Sequence, residues 1–305
     1  MDSAVIPEEV YPALQDVVGA PVVVEHVRMG VGGPGIVVCR GPDGRAVGKR
    51  TSAEETAFYR EWAPMLAERG LGVPRAFAQG TASTGHWMVL EWLPRVGERH
   101  DPAWVPEQTQ YLAQLHRLLP EAAPSAASLL PRRDLQLTRP DADDALALWE
   151  PGPARRLHRL ISEPWPYVEG RQLVSGDPNP TNWGWRESGE LVLFDWAEAG
   201  WGHPSYDLSI LCGGLPDGAA IRRVVVPYLA AGNAGDPEEV EQWVAWAVTG
   251  RLVTFLRFLA GWRRGQVTDA ARRGVDMLRD GLWDWVQAVR PLILPFAQRP
   301  LITPD

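Results

Sequence analysis

The chain has 305 residues, of which 45% are hydrophobic and 22% are charged, and its formal net charge is −8 at pH 7. This length is sufficient for one large domain, or for two closely apposed lobes with a hydrophobic core. The charge argues against a nucleic-acid partner, because a phosphate backbone requires a basic stripe and the sequence has none.

The cysteines and the N-terminal residues bear on location. Cys39 and Cys212 lie far apart without metal-binding spacing, which predicts two apolar core thiols in a reducing compartment. The first residues, MDSAVIPEEVYPAL, lack the basic and apolar regions of a signal peptide. No uninterrupted apolar run approaches the length of a membrane span. We therefore expect a cytoplasmic protein without a membrane partner, whose oligomeric state the sequence leaves open.

The N-terminal third predicts a small β-sheet. Valine-rich strands are predicted over Pro21–Arg28, Gly35–Arg40 and Ala46–Arg50. A glycine cluster separates the first two, and backbone N–H groups in such a turn can approach phosphates. Gly32 and Gly33 are therefore candidate nucleotide contacts, although glycines in hairpins most often serve only as turns.

Lys49 is the only lysine of the chain, because every other strongly basic residue is arginine. A compact ammonium rather than a guanidinium at the end of the third strand is typical of the kinase lysine that holds nucleotide phosphates. A helix capped by Thr51 or Ser52 is predicted to follow and to run to about Glu68. Kinases need a glutamate on this helix to orient the lysine, and three are available, Glu54, Glu55 and Glu61.

The rest of the chain changes from strand to helix periodicity. Further strands are predicted over Val73–Gln79 and His86–Trp92, and Pro94 ends the second. Helical patterns then cover 107–119, 141–161 with a break at 151–153, 205–213, 219–231, 237–261 and 267–289. A lone histidine on an apolar helix, such as His116, is expected to be a hydrogen-bonded structural residue. The proline-rich residues 290–305 are expected to lie along the surface.

The stretch Leu173–Asp207 carries the chemistry. Asp177 follows a short apolar run, Asn182 comes five residues later, and Asp195 ends the apolar run Leu191–Phe194. A carboxylate at the end of such a run is costly to bury unless it is paired or holds a metal. Aspartate and asparagine oxygens suit Mg²⁺. The pattern predicts a catalytic base (Asp177) and two metal ligands (Asn182 and Asp195), the arrangement of kinase-type phosphoryl transfer. The alternative is that the Asp-Pro and Asn-Pro pairs only form turns.

This stretch resembles the catalytic region of the aminoglycoside phosphotransferase and choline kinase-like superfamily. That family has His-Gly-Asp-x-x-x-x-Asn, a strand that ends in Asp-Trp, and then Pro-x-x-Asp-Leu. The corresponding residues here are Ser175-Gly176-Asp177, Asn182, Asp195-Trp196 and Pro204 to Leu208. The chain departs at Ser175, where the family usually has histidine, and at His203, where an aspartate often precedes the proline.

The resemblance implies an α+β, bilobal, protein-kinase-like fold. A small antiparallel sheet lobe with one helix (1–93) would bind the nucleotide, and a larger, mainly helical lobe (94–305) would carry the catalytic loop and the acceptor site. Glu55 fits the family-like Glu-x-x-Phe-Tyr pattern and is the predicted partner of Lys49. By the same resemblance, Asp207 would anchor the catalytic loop, and the base of the nucleotide would lie against Glu91, Trp92 and Leu93.

The implied activity is a Mg²⁺-dependent transfer of phosphate from ATP or GTP to a small-molecule hydroxyl. An antibiotic acceptor (an aminoglycoside, a nucleoside or another sugar-containing compound) is expected, in resistance or self-resistance, with Glu198 and Trp201 as candidate substrate contacts. The alternatives are a choline or sugar kinase and a catalytically silent binding module, which Ser175 would suggest. A protein kinase is less favoured, because the chain lacks His-Arg-Asp and Asp-Phe-Gly.

Overall fold

The computed structural model describes residues 7–28, 35–82, 85–97, 101, 103–118, 130–232, 236–266 and 271–303. Within these residues the chain divides into two compact units. The described residues of the first unit are 7–28, 35–82, 85–97, 130 and 182–199, and those of the second unit are 101, 103–118, 131–181, 200–232, 236–266 and 271–303.

The first unit is built on a five-stranded antiparallel sheet. Its strands are β1 (Val23–Arg28), β2 (Ile36–Gly41), β3 (Gly44–Thr51), β4 (Ala76–Ala82) and β5 (Gly85–Glu91). They lie in the order β1-β2-β3-β5-β4. The valine-rich alternation and the tight turn at Pro42–Asp43 account for the β1–β2–β3 meander, and the predicted antiparallel sheet is confirmed.

Two helices accompany this sheet. The predicted helix is α2 (Ala53–Glu68), and the Ser52 side chain caps it by accepting a hydrogen bond from the Glu55 N–H. A shorter helix, α1 (Tyr11–Val18), was not predicted from the sequence. Its Leu14 and Val18 are fully buried in the same core as Cys39, so tertiary packing stabilises a segment that is too short to form a helix alone.

A second, three-stranded sheet completes the first unit. It consists of β6 (Arg95–Val96), β10 (Trp183–Trp185) and β11 (Leu191–Leu193) in the order β11-β10-β6. The β10–β11 pair is an antiparallel hairpin in which Trp183 pairs with Leu193. This hairpin brings a segment that is distant in sequence into the first unit.

The second unit is mainly helical. Its helices are α3 (Val105–Leu115), α4 (Arg139–Leu146), α5 (Pro151–Ile161), α6 (Ser205–Leu211), α7 (Gly218–Ala231), α8 (Pro237–Arg263) and α9 (Arg272–Ile293). The short strands β7 (Arg132–Arg133), β9 (Gln172–Val174) and β12 (Gly200–Gly202) form one sheet, and β8 (Pro164–Trp165) pairs with β13 (Arg299–Pro300).

Helix α8 forms the centre of the second unit and packs against α4, α6, α7 and α9. In the described part of the chain it is the one helix whose length and composition would suit a membrane span. However, 72% of its most apolar window is buried inside the structure. This burial identifies α8 as a core helix.

Two expectations about the second unit were wrong. The break near 151–153 falls earlier, between Leu146 and Pro151, because Pro151 occupies the first position of α5, where a missing N–H costs nothing. The C-terminal segment does not simply lie along the surface: α9 continues to Ile293, and Leu301 and Ile302 are buried beyond β13. Apolar side chains between the prolines account for this packing.

Candidate active site

Lys49 is the centre of a buried charge cluster in the first unit. On β3 it pairs with Met88 of the neighbouring strand β5. Its Nζ lies 2.6 Å from Glu55 Oε1 and 2.7 Å from Asp195 Oδ1. Glu55 is almost completely buried, whereas the side chain of Asp195 is 39% exposed. The cluster therefore has one buried anion that is fixed to the protein and one that a ligand can reach.

The two carboxylates keep the ammonium charged. Burial alone would lower the pKa of Lys49, but the negative charges of Glu55 and Asp195 and their hydrogen bonds raise it overall. Lys49 is therefore a permanent cation at neutral pH, with two of its three N–H donors directed at oxygen anions.

The structure separates the three candidate glutamates. Glu55 contacts Lys49 and also accepts hydrogen bonds from Thr51 Oγ1 and from the Trp196 N–H, at 3.2 Å for the latter. Glu54 bonds with its own backbone N–H and with the side chain of Ser52, and these bonds lower its pKa. Glu61 pairs with its neighbour Arg60. Of the three, Glu55 is the one that contacts the lysine.

The β10–β11 hairpin presents both predicted metal ligands at its open end. Asn182 immediately precedes β10, and its carbonyl accepts the N–H of Phe194 at 2.9 Å. Asp195 follows Phe194 with a φ of 65°, the one positive φ of a non-glycine residue in the described ranges. Such a backbone conformation costs free energy and is typical of functional sites. The ring of Trp196 then stacks on Phe58 of α2 at 4.4 Å and fixes the chain after Asp195.

The donor set at this end of the hairpin fits Mg²⁺. It offers an amide oxygen and a carboxylate oxygen, which are hard ligands. Among the residues that the structure describes, no group of three or more His, Cys, Asp or Glu side chains could hold a metal. A metal here would therefore take its remaining ligands from water and phosphate oxygens, as Mg²⁺ commonly does.

The three residues predicted to contact the nucleotide base, Glu91, Trp92 and Leu93, differ in their contacts and burial. Glu91 ends β5, its N–H donates to the Arg75 carbonyl at 2.8 Å, and its carboxylate is bound by Arg186. The Arg45 guanidinium lies 4.9 Å from the ring centre of Trp92. Leu93 is buried. The N–H and the carboxylate of Glu91 are therefore engaged within the protein, and the contact of these three residues with a nucleotide base stays a prediction. Gly32 and Gly33 lie outside the described residues.

In the second unit, Asp207 supports the loop that carries Asp177. Strand β9 leads into Ser175 and Gly176, whose N–H groups donate to the Asp207 carboxylate at 2.8 and 2.9 Å. The Ser175 hydroxyl adds a third bond at 3.0 Å. Gly176 has a φ of 82°, which favours glycine. The serine that replaces the family's histidine therefore takes part in supporting the loop.

His116 completes this buried network. Its Nε2 lies 3.0 Å from Asp207 Oδ2, and its Nδ1 lies 3.1 Å from the Tyr228 hydroxyl. Burial, together with the negative charge of Asp207, raises the pKa of Tyr228. The sequence indicated a hydrogen-bonded histidine at 116 but not its partner, because the two residues are 91 positions apart.

Asp177 itself is half-buried in the second unit. A buried cation, Arg251 of α8, also belongs to this unit, and its Nε and Nη2 both donate to the Gly214 carbonyl. Burial lowers the pKa of Arg251 to about 10, and the negative charge of Asp177 acts in the opposite direction. Sequence reasoning did not single out Arg251, which is one of many arginines on apolar helices.

The two candidate substrate residues belong to different units. Glu198 is exposed in the first unit. Trp201 lies on β12 in the second unit, where it is half-buried and pairs with Leu173 of β9 and Arg132 of β7. Their relation to an acceptor stays a prediction.

Comparison with protein families identifies the class. Residues 37–243 match the Phosphotransferase enzyme family (APH). This match spans more than half of the chain and includes Lys49, Glu55, Asp177, Asn182 and Asp195. The chain therefore belongs to the Phosphotransferase enzyme family, and the resemblance seen in its catalytic stretch is confirmed. A comparison with curated proteins gives no match.

Solved structures confirm the kinase-like α+β fold. The macrolide 2′-phosphotransferase MphH of Brachybacterium faecium has a TM-score of 0.59 and 18% identity, over 90% of this chain and 97% of that chain. An aminoglycoside phosphotransferase of Alicyclobacillus acidocaldarius has a TM-score of 0.58 and 16% identity, over 92% and 94%. The choline kinase LicA of Streptococcus pneumoniae, also solved with AMP, has a TM-score of 0.52 and 14% identity, over 93% and 98%. At these identities the likeness is one of fold.

Proposed function

We propose that the chain is a Mg²⁺-dependent O-phosphotransferase that moves the γ-phosphoryl group of ATP or GTP to a hydroxyl of an antibiotic. The observation that carries this proposal is the Lys49 ammonium, held at 2.6 Å by buried Glu55 and at 2.7 Å by accessible Asp195. A lysine fixed on one side and paired with a reachable carboxylate on the other is suited to receive a nucleotide phosphate. The AMP complex of LicA supports a nucleotide donor.

The residues of the first unit bind and orient the donor. Lys49 donates hydrogen bonds to phosphate oxygens, and Glu55 keeps it in place. Asn182 and Asp195 hold Mg²⁺, which when bound neutralises charge on the transferring phosphate. Because the transition state needs little covalent help, alignment and fixed charge account for most of the catalysis.

Asp177 is the proposed base. Its carboxylate orients the acceptor hydroxyl and accepts its proton as the new O–P bond forms and the bond from the γ-phosphorus to its bridging oxygen breaks. Such a group contributes ~10²–10⁴-fold to the rate. The hydrogen bonds from the loop to Asp207 support this role, because they keep the backbone before Asp177 in one conformation.

The identity of the acceptor is the most specific part of the proposal. The likeness to a macrolide and an aminoglycoside phosphotransferase favours an antibiotic, in resistance or self-resistance. The likeness to LicA favours the alternative, a metabolite kinase that acts on choline or a sugar. We propose that Glu198 and Trp201 contact the acceptor. We also propose that the protein acts in the cytoplasm without a nucleic-acid or membrane partner.

A catalytically silent module is the less favoured reading. This alternative was suggested by Ser175, which stands where the family usually has histidine. However, the Ser175 hydroxyl donates a hydrogen bond to Asp207 and so helps to hold the loop in place. Lys49, Glu55, Asp177, Asn182 and Asp195 are all present. This combination supports catalysis.

The test is a phosphorylation screen. The protein is incubated with Mg²⁺, ATP or GTP, and a panel of aminoglycosides, macrolides, nucleoside antibiotics, choline and sugars, and mass spectrometry identifies any compound that gains a phosphate. Asp177→Asn serves as the inactive control. A gain that vanishes in the variant supports the proposal. A failure of the wild-type protein to bind any Mg²⁺–nucleotide would contradict it.

A further inference from the structure

The turn end of the β10–β11 hairpin carries an arginine whose contacts the proposed chemistry does not use. Arg186 follows β10, and its N–H continues the ladder by donating to the Glu190 carbonyl at 3.0 Å. Its guanidinium binds Glu91 at two points, Nε to Oε1 at 2.8 Å and Nη2 to Oε2 at 2.7 Å. Nη2 also donates to the Val73 carbonyl at 2.9 Å, and Nη1 pairs with Glu190 at 2.7 Å.

This contact is stronger than an ordinary surface ion pair. It is a bidentate, charge-assisted arrangement in which all three guanidinium nitrogens are engaged. The side chains of Arg186 and Glu91 are only 26% and 22% exposed. Burial would raise the pKa of Glu91, but the hydrogen bonds from Arg186 and from the Arg75 N–H lower it overall, so the carboxylate is ionised.

The position of the contact links two parts of the proposed site. Glu91 ends strand β5, and the same strand pairs with Lys49 through Met88. Arg186 belongs to the hairpin whose other end presents Asn182 and Asp195. The pair therefore joins the strand next to the phosphate-binding lysine to the hairpin that carries the metal ligands.

We infer that Arg186 is a positioning residue: by binding Glu91 at the turn end of the hairpin, it sets where Asn182 and Asp195 lie relative to Lys49. This inference rests on the proposed function and goes beyond it. It also gives the Glu91 carboxylate a role of its own beside the nucleotide contact expected at this residue from the sequence. The hairpin has other attachments along its strands: the Gly97 N–H donates to the Trp183 carbonyl at 2.7 Å, and the Leu193 N–H donates to the Gly72 carbonyl at 3.1 Å. Arg186 adds a charged side-chain attachment at the turn end.

The inference predicts a specific loss in Arg186→Gln. In the proposed function Asn182 and Asp195 would bind the nucleotide through Mg²⁺, whereas Lys49 would bind its phosphates directly. A displaced hairpin should therefore weaken only the part of the nucleotide affinity that depends on Mg²⁺. Isothermal titration with a non-hydrolysable ATP analogue, with and without Mg²⁺, should show that the Mg²⁺-dependent gain in affinity falls about tenfold, the lower end for groups that orient metal ligands. Affinity without Mg²⁺ should stay unchanged.

Three variants sharpen the test. Arg186→Lys keeps the charge but loses the planar fork, so it should behave as Arg186→Gln does. Glu91→Gln weakens the pair from the other side and should act in the same direction, which covers the case that an Arg186 variant does not fold. Glu190→Gln removes the other partner of Arg186 within the hairpin and should match the wild type.

The outcomes separate the hypotheses. If Arg186→Gln lowers the melting temperature but leaves the Mg²⁺-dependent gain in nucleotide affinity unchanged, Arg186 serves only stability. That result would overturn the inference. An equal loss of the Mg²⁺-dependent gain in affinity in Glu190→Gln would also overturn it, since the loss would then follow from changing any charge near the turn and not from breaking the Arg186–Glu91 pair. If the wild type itself gains no affinity from Mg²⁺, the proposed function fails, and the inference fails with it.

Discussion

His116 Nε2 lies 3.0 Å from Asp207 Oδ2, and both side chains are almost completely buried. This bond joins α3 to the first turn of α6, and the other bonds to the Asp207 carboxylate come from Ser175 and Gly176. A buried carboxylate of this kind is tolerated because donors satisfy it on several sides. The backbone that leads to Asp177 is therefore organised by a residue to which we assign no part in the proposed reaction.

Asp207→Asn tests this organisation. The amide nitrogen cannot accept a hydrogen bond, so at least one of the four buried donors loses its partner, at about 1–3 kcal/mol for each. We expect the free energy of unfolding from urea titration to fall by about that amount and kcat to fall with it. Asp280→Asn, at an exposed aspartate of α9, is the matched control and should change stability by less than about 0.5 kcal/mol. Wild-type stability in Asp207→Asn would contradict the network.

Ser175 offers a second test. Ser175→Ala removes the hydroxyl bond to Asp207 and leaves both backbone bonds, so a loss of about 1 kcal/mol of stability is expected. Ser175→His, which introduces the residue usual in the family, should destabilise by about 1–3 kcal/mol because the site is only 2% exposed. Chemical denaturation measures both. A histidine variant more stable and more active than the wild type would show that the pocket has room for the imidazole.

Asp177→Asn tests the base. The amide cannot accept the hydroxyl proton, so kcat should fall ~10²–10⁴-fold. The affinity for Mg²⁺–nucleotide should stay near the wild-type value, because we assign the donor to Lys49, Asn182 and Asp195. Steady-state kinetics with the acceptor found in the screen, together with nucleotide titration, make the measurement. Near-wild-type turnover would remove Asp177 from the mechanism.

Glu55→Gln tests the lysine pair and its pH dependence. The pKa of Lys49 is raised in the folded protein, so its ion pairs stabilise fully below the unfolded value of 10.5 and lose this effect only as the pH rises through the higher folded value. We therefore expect no loss of stability from Lys49 between pH 7 and 10 in the wild type. With one negative charge removed, the folded pKa of Lys49 moves back toward 10.5, so the loss of stability above pH 10.5 should be smaller in Glu55→Gln than in the wild type. Glu54→Gln, on the adjacent exposed position, should follow the wild type in urea titrations across this range.

His203 predicts a loss of stability in acid. Burial, with a smaller effect of His116, lowers its pKa to about 3 from the ordinary value of 6.5. The unfolded chain therefore binds a proton that the folded chain does not, and the free energy of unfolding should fall as the pH drops from about 6.5 toward 3. The Ser205 N–H donates to His203 Nδ1 at 3.2 Å, which requires the neutral acceptor form of that nitrogen. His203→Asn should flatten this part of the pH profile, and an unchanged slope would exclude His203 as its cause.

Local patterns were sufficient for much of the fold. The five strands of the first sheet, α2 and the helices of the second unit follow from residue periodicity, because each pattern is contained within a few turns or one strand. Helix α1 and the packing of Leu301 and Ile302 do not follow, because both depend on surfaces formed by residues far away in the chain. Short segments of this kind are stabilised by tertiary contacts rather than by their own propensity.

The candidate site divides in the same way. The sequence by itself determined which chemical groups are present, because a single lysine, the Asp-x-x-x-x-Asn spacing and a strand that ends in Asp are local features. The family-like pattern around Glu55 already favoured it over Glu54 and Glu61 as the partner of Lys49, and the structure shows that contact. Only the tertiary structure decided that His116 binds Asp207 and that Arg186 binds Glu91. Hydrogen bonds and ion pairs act over about 3 Å, and residues of the site separated by up to 146 positions come within that distance only after the chain has folded.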